Sequence, residues 1–329
     1  MNKKPLIITL GAAVLAGLLL LVFLPHRSVA TAAPQPQVPS LKAPKATKAP
    51  LVAATRAGNR LVAVGDYGIV LLSDDEGHSW RQARSAAGQT LLTGVWFVND
   101  KLGWAVGHGG VVLHSRDGGE NWQVEHTAAP DLALLSIWFG SDQHGIAVGS
   151  FGRGIETVDG GKSWKEILLG QGEDRDRHLN HLFPGAGETL FVAAEAGTIF
   201  RSRDSGKTWK ALKPPYKGSF WNGMKLRDGA ILIVGMRGNA FRSEDEGDTW
   251  HQVNTGTTQA LSGVSQLAGG QVVVVGMSGT VLVSKDEGRN FEAHMREDRL
   301  NLTSVAAGAN GKVVLLGQAG VVGEVVLKP

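Results

Sequence analysis

Six short segments of the chain place a carboxylate, a hydroxyl or amide group and an aromatic ring within eight residues. Residues 115–122 read Ser-Arg-Asp-Gly-Gly-Glu-Asn-Trp, and the shared pattern is Ser/Thr-x-Asp-x-Gly-x-Ser/Thr/Asn-Trp/Phe. A carboxylate next to a hydroxyl is able to bind calcium or to act as a general acid or base. The aspartates that would do this chemistry are Asp75, Asp117, Asp159, Asp204, Asp245 and Asp286.

The regular repetition of these aspartates argues against such chemistry. They are spaced by 42, 42, 45, 41 and 41 residues, and a fixed period of this size indicates a repeat architecture. One carboxylate per repeat, distributed around a ring, does not converge on a single site. Within a turn, however, an Asp carboxylate accepts bonds from nearby backbone N–H groups. We therefore interpret the six aspartates as structural.

Other candidate chemical groups are few. His178 and His181 have a spacing that occurs in metal sites, but no further ligand accompanies them. The chain contains no cysteine, which excludes a thiolate nucleophile and a Cys-ligated metal. The sequence predicts no catalytic residue, no metal site and no cofactor.

A second repeated signature indicates the elements that position the aspartate turns. It is a Gly-x-x-Gly turn followed by a short strand pattern, and one unit predicts strands at residues 92–97, 102–106, 111–115 and 122–125. Four strands per unit of about 40–45 residues is the period of a β-propeller blade. The turns begin at Gly65, Gly107, Gly149, Ala194, Gly235, Gly276 and Gly317.

We therefore predict an all-β fold, a single seven-bladed β-propeller of four-stranded blades over residues 51–329. Blade 7 is the exception, because the sequence stops after its third strand without an aspartate turn. Either the segment before Leu51 lends a fourth strand, for which Pro44 and Pro50 are unsuited, or blade 7 has three strands.

The head of the chain predicts export. Lys3 and Lys4 precede an uncharged apolar run at residues 6–24, which suits either a cleaved signal peptide or a retained transmembrane anchor. In both cases the two lysines keep the N-terminus cytoplasmic. The propeller is then exported to the periplasmic side of the inner membrane, and residues 25–50, which hold six of the 12 prolines, form an extended linker.

The distribution of charge argues against a nucleic-acid partner. Six of the 33 basic residues and none of the 30 acidic residues lie in residues 1–50. The remaining chain has 27 basic and 30 acidic residues, a net charge of −3. Nucleic-acid binding is expected to need a basic face.

The octapeptide resembles the Asp-box, or bacterial neuraminidase repeat, and six copies in phase with seven Gly-x-x-Gly turns extend the likeness over residues 51–329. The unit with Val-Trp-Phe at 95–97, Gly-Trp-Ala-Val-Gly at 103–107 and Trp122 is most similar to the photosystem II stability/assembly factor family. That resemblance implies an exported, non-enzymatic, monomeric propeller that docks a membrane protein or envelope complex through an arginine-rich patch.

The alternative is a carbohydrate-active Asp-box propeller of the sialidase or glycosidase type. A sialidase would need a tyrosine nucleophile paired with a glutamate, an acid/base aspartate and three arginines. Tyr67 lies in a Gly-x-x-Gly turn and Tyr216 follows two prolines, while the Arg-Ile/Leu-Pro opening of sialidase domains is absent. No non-repeated acidic pair suits retaining glycoside hydrolysis either. We therefore expect a non-enzymatic protein.

The expected partner site is the propeller face that carries the Gly-x-x-Gly tips and the blade-linking segments. Loops carry function more often than the scaffold does, and binding hot spots favour aromatic residues and arginine. The predicted partner-binding residues are Arg153, Arg237, Arg175, Arg177, Tyr67, Phe151 and Trp221.

Overall fold

The structure, a computed structural model, describes residues 37–308 and 311–326 as a succession of short β-strands joined by tight turns. In chain order the strands are β1 Leu51–Ala57, β2 Arg60–Gly65, β3 Val70–Ser73, β4 Arg81–Gln82, β5 Arg84–Ser85, β6 Leu92–Phe97, β7 Gly103–Gly107, β8 Val111–Ser115, β9 Asn121–Thr127, β10 Leu134–Phe139, β11 Gly145–Gly149, β12 Arg153–Thr157, β13 Lys165–Leu168, β14 Leu179–Pro184, β15 Leu190–Ala194, β16 Ile199–Ser202, β17 Lys210–Leu212, β18 Phe220–Lys225, β19 Ile231–Gly235, β20 Ala240–Ser243, β21 His251–Val253, β22 Leu261–Gln266, β23 Val272–Gly276, β24 Thr280–Ser284, β25 Glu292–Met295, β26 Leu302–Ala307, β27 Lys312–Gly317 and β28 Gly320–Val326.

These strands form seven sheets, and the prediction of a seven-bladed all-β propeller is confirmed. Blade 1 is β1–β4, blade 2 is β6–β9, and blades 3 to 6 are β10–β13, β14–β17, β18–β21 and β22–β25, each antiparallel in chain order. Short β5 adds a parallel strand to the outer edge of blade 2. The first strands of neighbouring blades contact one another around a central channel.

The core lies between neighbouring blades, because both faces of each sheet are covered. Second strands are therefore largely apolar and buried, and β19 and β23 are buried at every residue. The aromatic residue that ends each Asp-box packs back onto the preceding blade. Trp80 of blade 1, for example, joins the cluster that contains Val314 and Leu316 of blade 7.

Blade 7 has three strands in the described residues, β26, β27 and β28, so the second of the two predicted closures is the one observed. Within described residues 37–50, no strand pairs with blade 7, and Ala46–Lys48 forms a 3₁₀ turn between Pro44 and Pro50. The ring closes by packing of β26 against β1. Thr303 Oγ1 donates to the Leu51 carbonyl at 2.6 Å, and Arg56 Nε donates to the Ala307 carbonyl at 2.9 Å.

Residues 37–50, assigned to the linker by composition, lie along the outside of blades 2 and 1. The Gln37 side chain bonds both backbone groups of Val124, and Val38 bridges to Ala87. The predicted apolar run at 6–24 lies outside the described residues. Within the described ranges, no helix is long and apolar enough to cross a membrane.

Candidate functional site

The six Asp-box turns share one bonding pattern. In blade 5 the Asp245 carboxylate accepts from Ser243 Oγ at 2.8 Å, from the Thr249 N–H at 2.8 Å and from Thr249 Oγ1 at 2.6 Å. Ser243 Oγ in turn accepts from the Gly247 N–H at 2.8 Å. The same set recurs at Asp75, Asp117, Asp159, Asp204 and Asp286.

These bonds stabilise the ionised form of each carboxylate. The Thr249 hydroxyl and N–H lower the pKa of Asp245 to about 2, and Thr208 does the same for Asp204. Each carboxylate is therefore committed to its own turn. Across residues 37–308 and 311–326, no three His, Asp or Glu side chains lie together as metal ligands would.

The Gly-x-x-Gly turns share one backbone geometry instead. In five of them the residue before the second glycine is a non-glycine residue in the left-handed region, with φ between 53° and 57°: Tyr67, Phe151, Ala196, Arg237 and Ser278. Blade 2 has Gly109 at this position. The following glycine is fixed by its surroundings, since a Cβ at Gly197 would lie 1.8 Å from the Tyr216 carbonyl oxygen.

This contact places each turn against the segment that links its blade to the next one. The Gly152 N–H donates to the Arg177 carbonyl at 2.7 Å, and the Gly197 N–H donates to the Gly218 carbonyl at 2.8 Å. We name the surface made by the seven turns and the linking segments the tip face. The aspartate turns follow the third strands and so occupy the opposite side, the Asp-box face.

The structure brings Phe151, Arg153, Arg175 and Arg177 together on blades 3 and 4 of the tip face. Phe151 is 54% exposed, and its ring centroid lies 5.0 Å from that of His178. Gly152 packs on the Arg175 backbone. These four predicted residues therefore share one surface patch.

Charges in this patch are interleaved rather than basic. Arg153 bonds Glu166 Oε1 at 2.8 Å and Asp131 Oδ2 at 3.0 Å, which leaves its side chain 20% exposed, and Glu166 raises its pKa. Arg177 lies 3.6 Å from Asp174. Arg175 is exposed. Burial raises the pKa of Glu195, but bonds from the His178 N–H and ring outweigh this effect and lower it.

Arg237 occupies a second patch, on blade 5. It is exposed at the tip of its turn, and the neighbouring Tyr216 hydroxyl donates to the Met236 carbonyl at 2.8 Å. Lys217 is exposed beside Tyr216. The tip and linking segments of this blade, residues 213–219, 236–239 and 254–260, contain no acidic residue. This is the more basic part of the tip face.

Tyr67 lies on blade 1, whereas Trp221 lies on blade 5 next to Phe220, whose ring contacts Tyr216 of the second patch. Tyr67 is 52% exposed on blade 1. Trp221 lines the central channel, which has a volume of about 660 Å³. His181 lines the same channel, and burial lowers its pKa to about 4, so this imidazole is neutral at pH 7.

Sequence reasoning missed two features of this surface. Lys213 and Lys217 flank the segment Pro214-Pro215-Tyr216, and Lys213 forms an ion pair with Asp174 across the blade boundary. The sequence could have predicted this feature, because two lysines surround an aromatic residue in a blade-linking segment. The channel position of His181 was not readable from strand alternation, because the register shifts between Leu179 and His181 on β14.

Comparisons with known proteins agree with this architecture. The model of the photosynthesis system II assembly factor YCF48 family matches residues 126–250. A structure of YCF48 bound to D1 peptide superposes with a TM-score of 0.70 at 17% identity, covering 91% of this chain and 97% of that chain. YCF48 from Cyanidioschyzon merolae gives 0.66 at 17% identity, covering 83% of this chain and 94% of that one.

An enzyme shares the fold as well. A catalytically inactive virginiamycin B lyase from Staphylococcus aureus with quinupristin superposes with a TM-score of 0.73 at 12% identity, covering 88% of this chain and 98% of that chain. No curated protein matches the sequence. The chain is therefore a seven-bladed β-propeller similar to the photosystem II assembly factors, whose family model matches its blades over residues 126–250.

Proposed function

We propose that this chain is a non-enzymatic scaffold that docks a membrane protein, or the exported tail of one, on its tip face. The observation that carries the proposal is the choice of residue at the tips. A glycine fits the left-handed backbone that six of the seven tips share, as Gly109 shows, yet the chain places Tyr67, Phe151 and Arg237 there. Bulky residues in this region cost free energy, and at these three tips the side chains are exposed, where a partner can contact them.

The docking surface has two parts with different roles. On blade 5, Arg237 and Lys217 form a basic surface without acidic neighbours on its segments, which favours an acidic partner segment and speeds its association. On blades 3 and 4, exposed Phe151 offers an apolar anchor next to Arg175. Arg153 and Arg177 hold this second patch in shape through their ion pairs with Asp131, Glu166 and Asp174.

Similarity to the assembly factors supports a protein partner, since one of the matched structures contains a D1 peptide. The partner of this chain is proposed by class only, as a membrane protein or envelope complex. We further propose that residues 1–24 deliver the propeller to the periplasmic side of the inner membrane. Mass spectrometry of the mature N-terminus distinguishes a cleaved signal from a retained anchor.

Crosslinking and pull-down from the native membrane test the docking proposal. The wild-type chain should recover a membrane complex, and Arg237→Glu should reduce that recovery severalfold by reversing the charge of the basic surface. Lys285→Glu is the matched control, because Lys285 is exposed on the Asp-box face. Equal recovery with the two variants would contradict a docking role for blade 5.

The competing hypothesis is a glycosidase, and the lyase superposition shows that this fold also supports catalysis. The scaffold proposal predicts no turnover of aryl-glycoside or sialoside substrates by the purified chain. Glycosidase activity that disappears when one surface carboxylate is replaced would overturn it.

A further inference from the structure

The third strand of blade 7, β28, has no fourth strand beside it in the described residues. In blades 1, 2, 4 and 5 the third strand is buried at every residue and pairs edge to edge with a fourth strand, as in β3 and β16. In blade 3, Arg153 and Glu156 of β12 are half-buried although a fourth strand is present. β28 keeps the apolar character of a third strand, yet Val321, Val322 and Val325 are only half-buried. Within the described ranges, no strand pairs with its outer edge.

The packing between blades 6 and 7 is incomplete for the same reason. In blades 4 and 5 a buried arginine of the third strand reaches the next blade's Asp-box turn, where Arg201 donates to the Glu246 carbonyl and Arg242 to the Glu287 carbonyl. Val283 holds this position in blade 6, and the described residues of blade 7 contain no Asp-box turn to contact it. Val283 is half-buried and packs in the same cluster as Val322 and Val325.

The six complete blades define what fits beside β28. Each supplies an aromatic residue that packs on the preceding blade, as Trp250 and Phe291 do, followed by a short antiparallel strand. The register is constant. The residue after the aromatic pairs with the third-strand position equivalent to Glu324, as in Arg201 with Lys210 and Val283 with Glu292.

We propose that β28 and Val283 form a strand-accepting groove that binds an extended segment of a partner protein. The segment would carry an aromatic residue against Val283 and pair antiparallel with β28, in the manner of β-strand addition. This proposal rests on the unpaired outer edge of β28 in the described residues and is independent of docking on the tip face.

Two other occupants fit less well. The described N-terminal segment starts at Gln37 on blade 2 and reaches blade 7 where Thr47 packs on Gly320 and Ala46 joins the cluster of Val314 and Val321. The only aromatic residue in 1–36 is Phe23, inside the apolar run. A second copy of the chain would offer another β28, which has no aromatic residue to cover Val283.

The test uses the full chain, whose lack of cysteine gives a clean background. Residues 207–213, Lys-Thr-Trp-Lys-Ala-Leu-Lys, serve as a probe peptide with cysteine in place of its fourth residue. Paired residues of antiparallel strands have Cα atoms about 4.5–5.5 Å apart, which permits a disulfide. We expect the peptide to couple to Glu324→Cys, as measured by intact-mass spectrometry under mild oxidation.

Three controls make the experiment decisive. A peptide with cysteine one residue later, opposite Gly323, should couple roughly tenfold less because the register is wrong. Replacing the peptide tryptophan by alanine should reduce coupling by a similar factor, roughly tenfold, through loss of the aromatic anchor. Lys165→Cys, on the exposed edge of complete blade 3, should show no such dependence.

Other outcomes overturn the proposal. Coupling that ignores register and tryptophan would show nonspecific thiol exchange. Absence of coupling would show a closed edge, filled by residues 1–36 or by a second copy. Size-exclusion chromatography of the uncoupled chain identifies the second copy, because a dimer that places β28 at its interface excludes a partner strand.

Discussion

The two faces of this propeller lie at opposite ends of the same strands and differ in which structural features recur from blade to blade. The Asp-box face repeats side chains, since all six aspartates make the same bonds. The tip face repeats a backbone conformation on which the side chain changes from tyrosine to glycine, alanine, arginine or serine. The Asp-box turns also hold a left-handed residue whose side chain varies, at Glu76, Gly118, Gly160, Ser205, Glu246 and Glu287. What distinguishes the two faces is therefore the repeated side-chain bonding, which marks the Asp-box face as scaffold.

The largest effect should come from the glycine that fixes the tip backbone. A Cβ at Gly238 would lie 1.9 Å from the Thr257 carbonyl oxygen at a φ of +70°, so Gly238→Ala should cost about 3 kcal/mol of unfolding free energy. Gly229→Ala is the matched control, because its φ is +91° but nothing lies within 4 Å of its Cβ. Gly229→Ala should lower the unfolding free energy, measured by denaturant unfolding, by about 1 kcal/mol. Equal costs would show that the tip backbone is not fixed by the linking segment.

A smaller loss is expected from one aspartate of the Asp-box face. Asp245→Ala removes the acceptor of the Thr249 N–H and of two hydroxyls, and should lower the unfolding free energy by about 1–3 kcal/mol. Lys285→Ala, at an exposed position of the next turn, should change it by less than ~0.5 kcal/mol. If both variants melt like the wild type, the repeated bonds do not hold the turn.

Acid should weaken the Asp-box face progressively. Asp75, Asp204, Asp245 and Asp286 have pKa values lowered to about 2, against about 3.9 in an unfolded chain. Groups with lowered pKa values stabilise the fold above the unfolded value, and this stability is lost as pH falls from about 4 towards 2. Melting temperatures across that range should decline less steeply for Asp245→Ala than for the wild type. Parallel declines would assign the acid sensitivity elsewhere.

The smallest effect on stability should come from a tip residue itself. Arg237→Gly relieves a left-handed non-glycine residue, and should change the unfolding free energy by less than about 1 kcal/mol. Recovery of the membrane complex should nevertheless fall as it does for Arg237→Glu. If Arg237→Gly keeps full recovery of the membrane complex, Arg237 does not contribute to docking. The proposed recognition role of the tip face would then lose its main support on blade 5.

Much of the scaffold was predictable because the repeat encodes local geometry. The predicted strands at 92–97 and 111–115 match β6 and β8, and the third strand of blade 7 differs by one residue at each end. Bonds within an Asp-box join residues at most four positions apart, so the motif alone specifies them.

Pairing between repeats was not predictable in the same way. Arg153 finds Asp131 and Glu166 only when the linking segment and β13 fold around it. The buried arginines Arg201 and Arg242 depend on turns of the next blade, 45 residues away. A repeated motif does not indicate which of its variable charged residues form ion pairs. The basic surface on blade 5 is therefore recognisable only in the structure.

The manner of ring closure has a consequence for how the molecule comes apart. No strand is shared between the first and last blades in the described residues, so packing between blades 7 and 1, without strand exchange, closes the ring. Each blade is made from consecutive sequence, which allows blades to form in order as the chain emerges. The boundary between blades 7 and 1 is then the natural point of opening under force or heat. A partner strand bound at β28 would stabilise blade 7, which lies beside that opening.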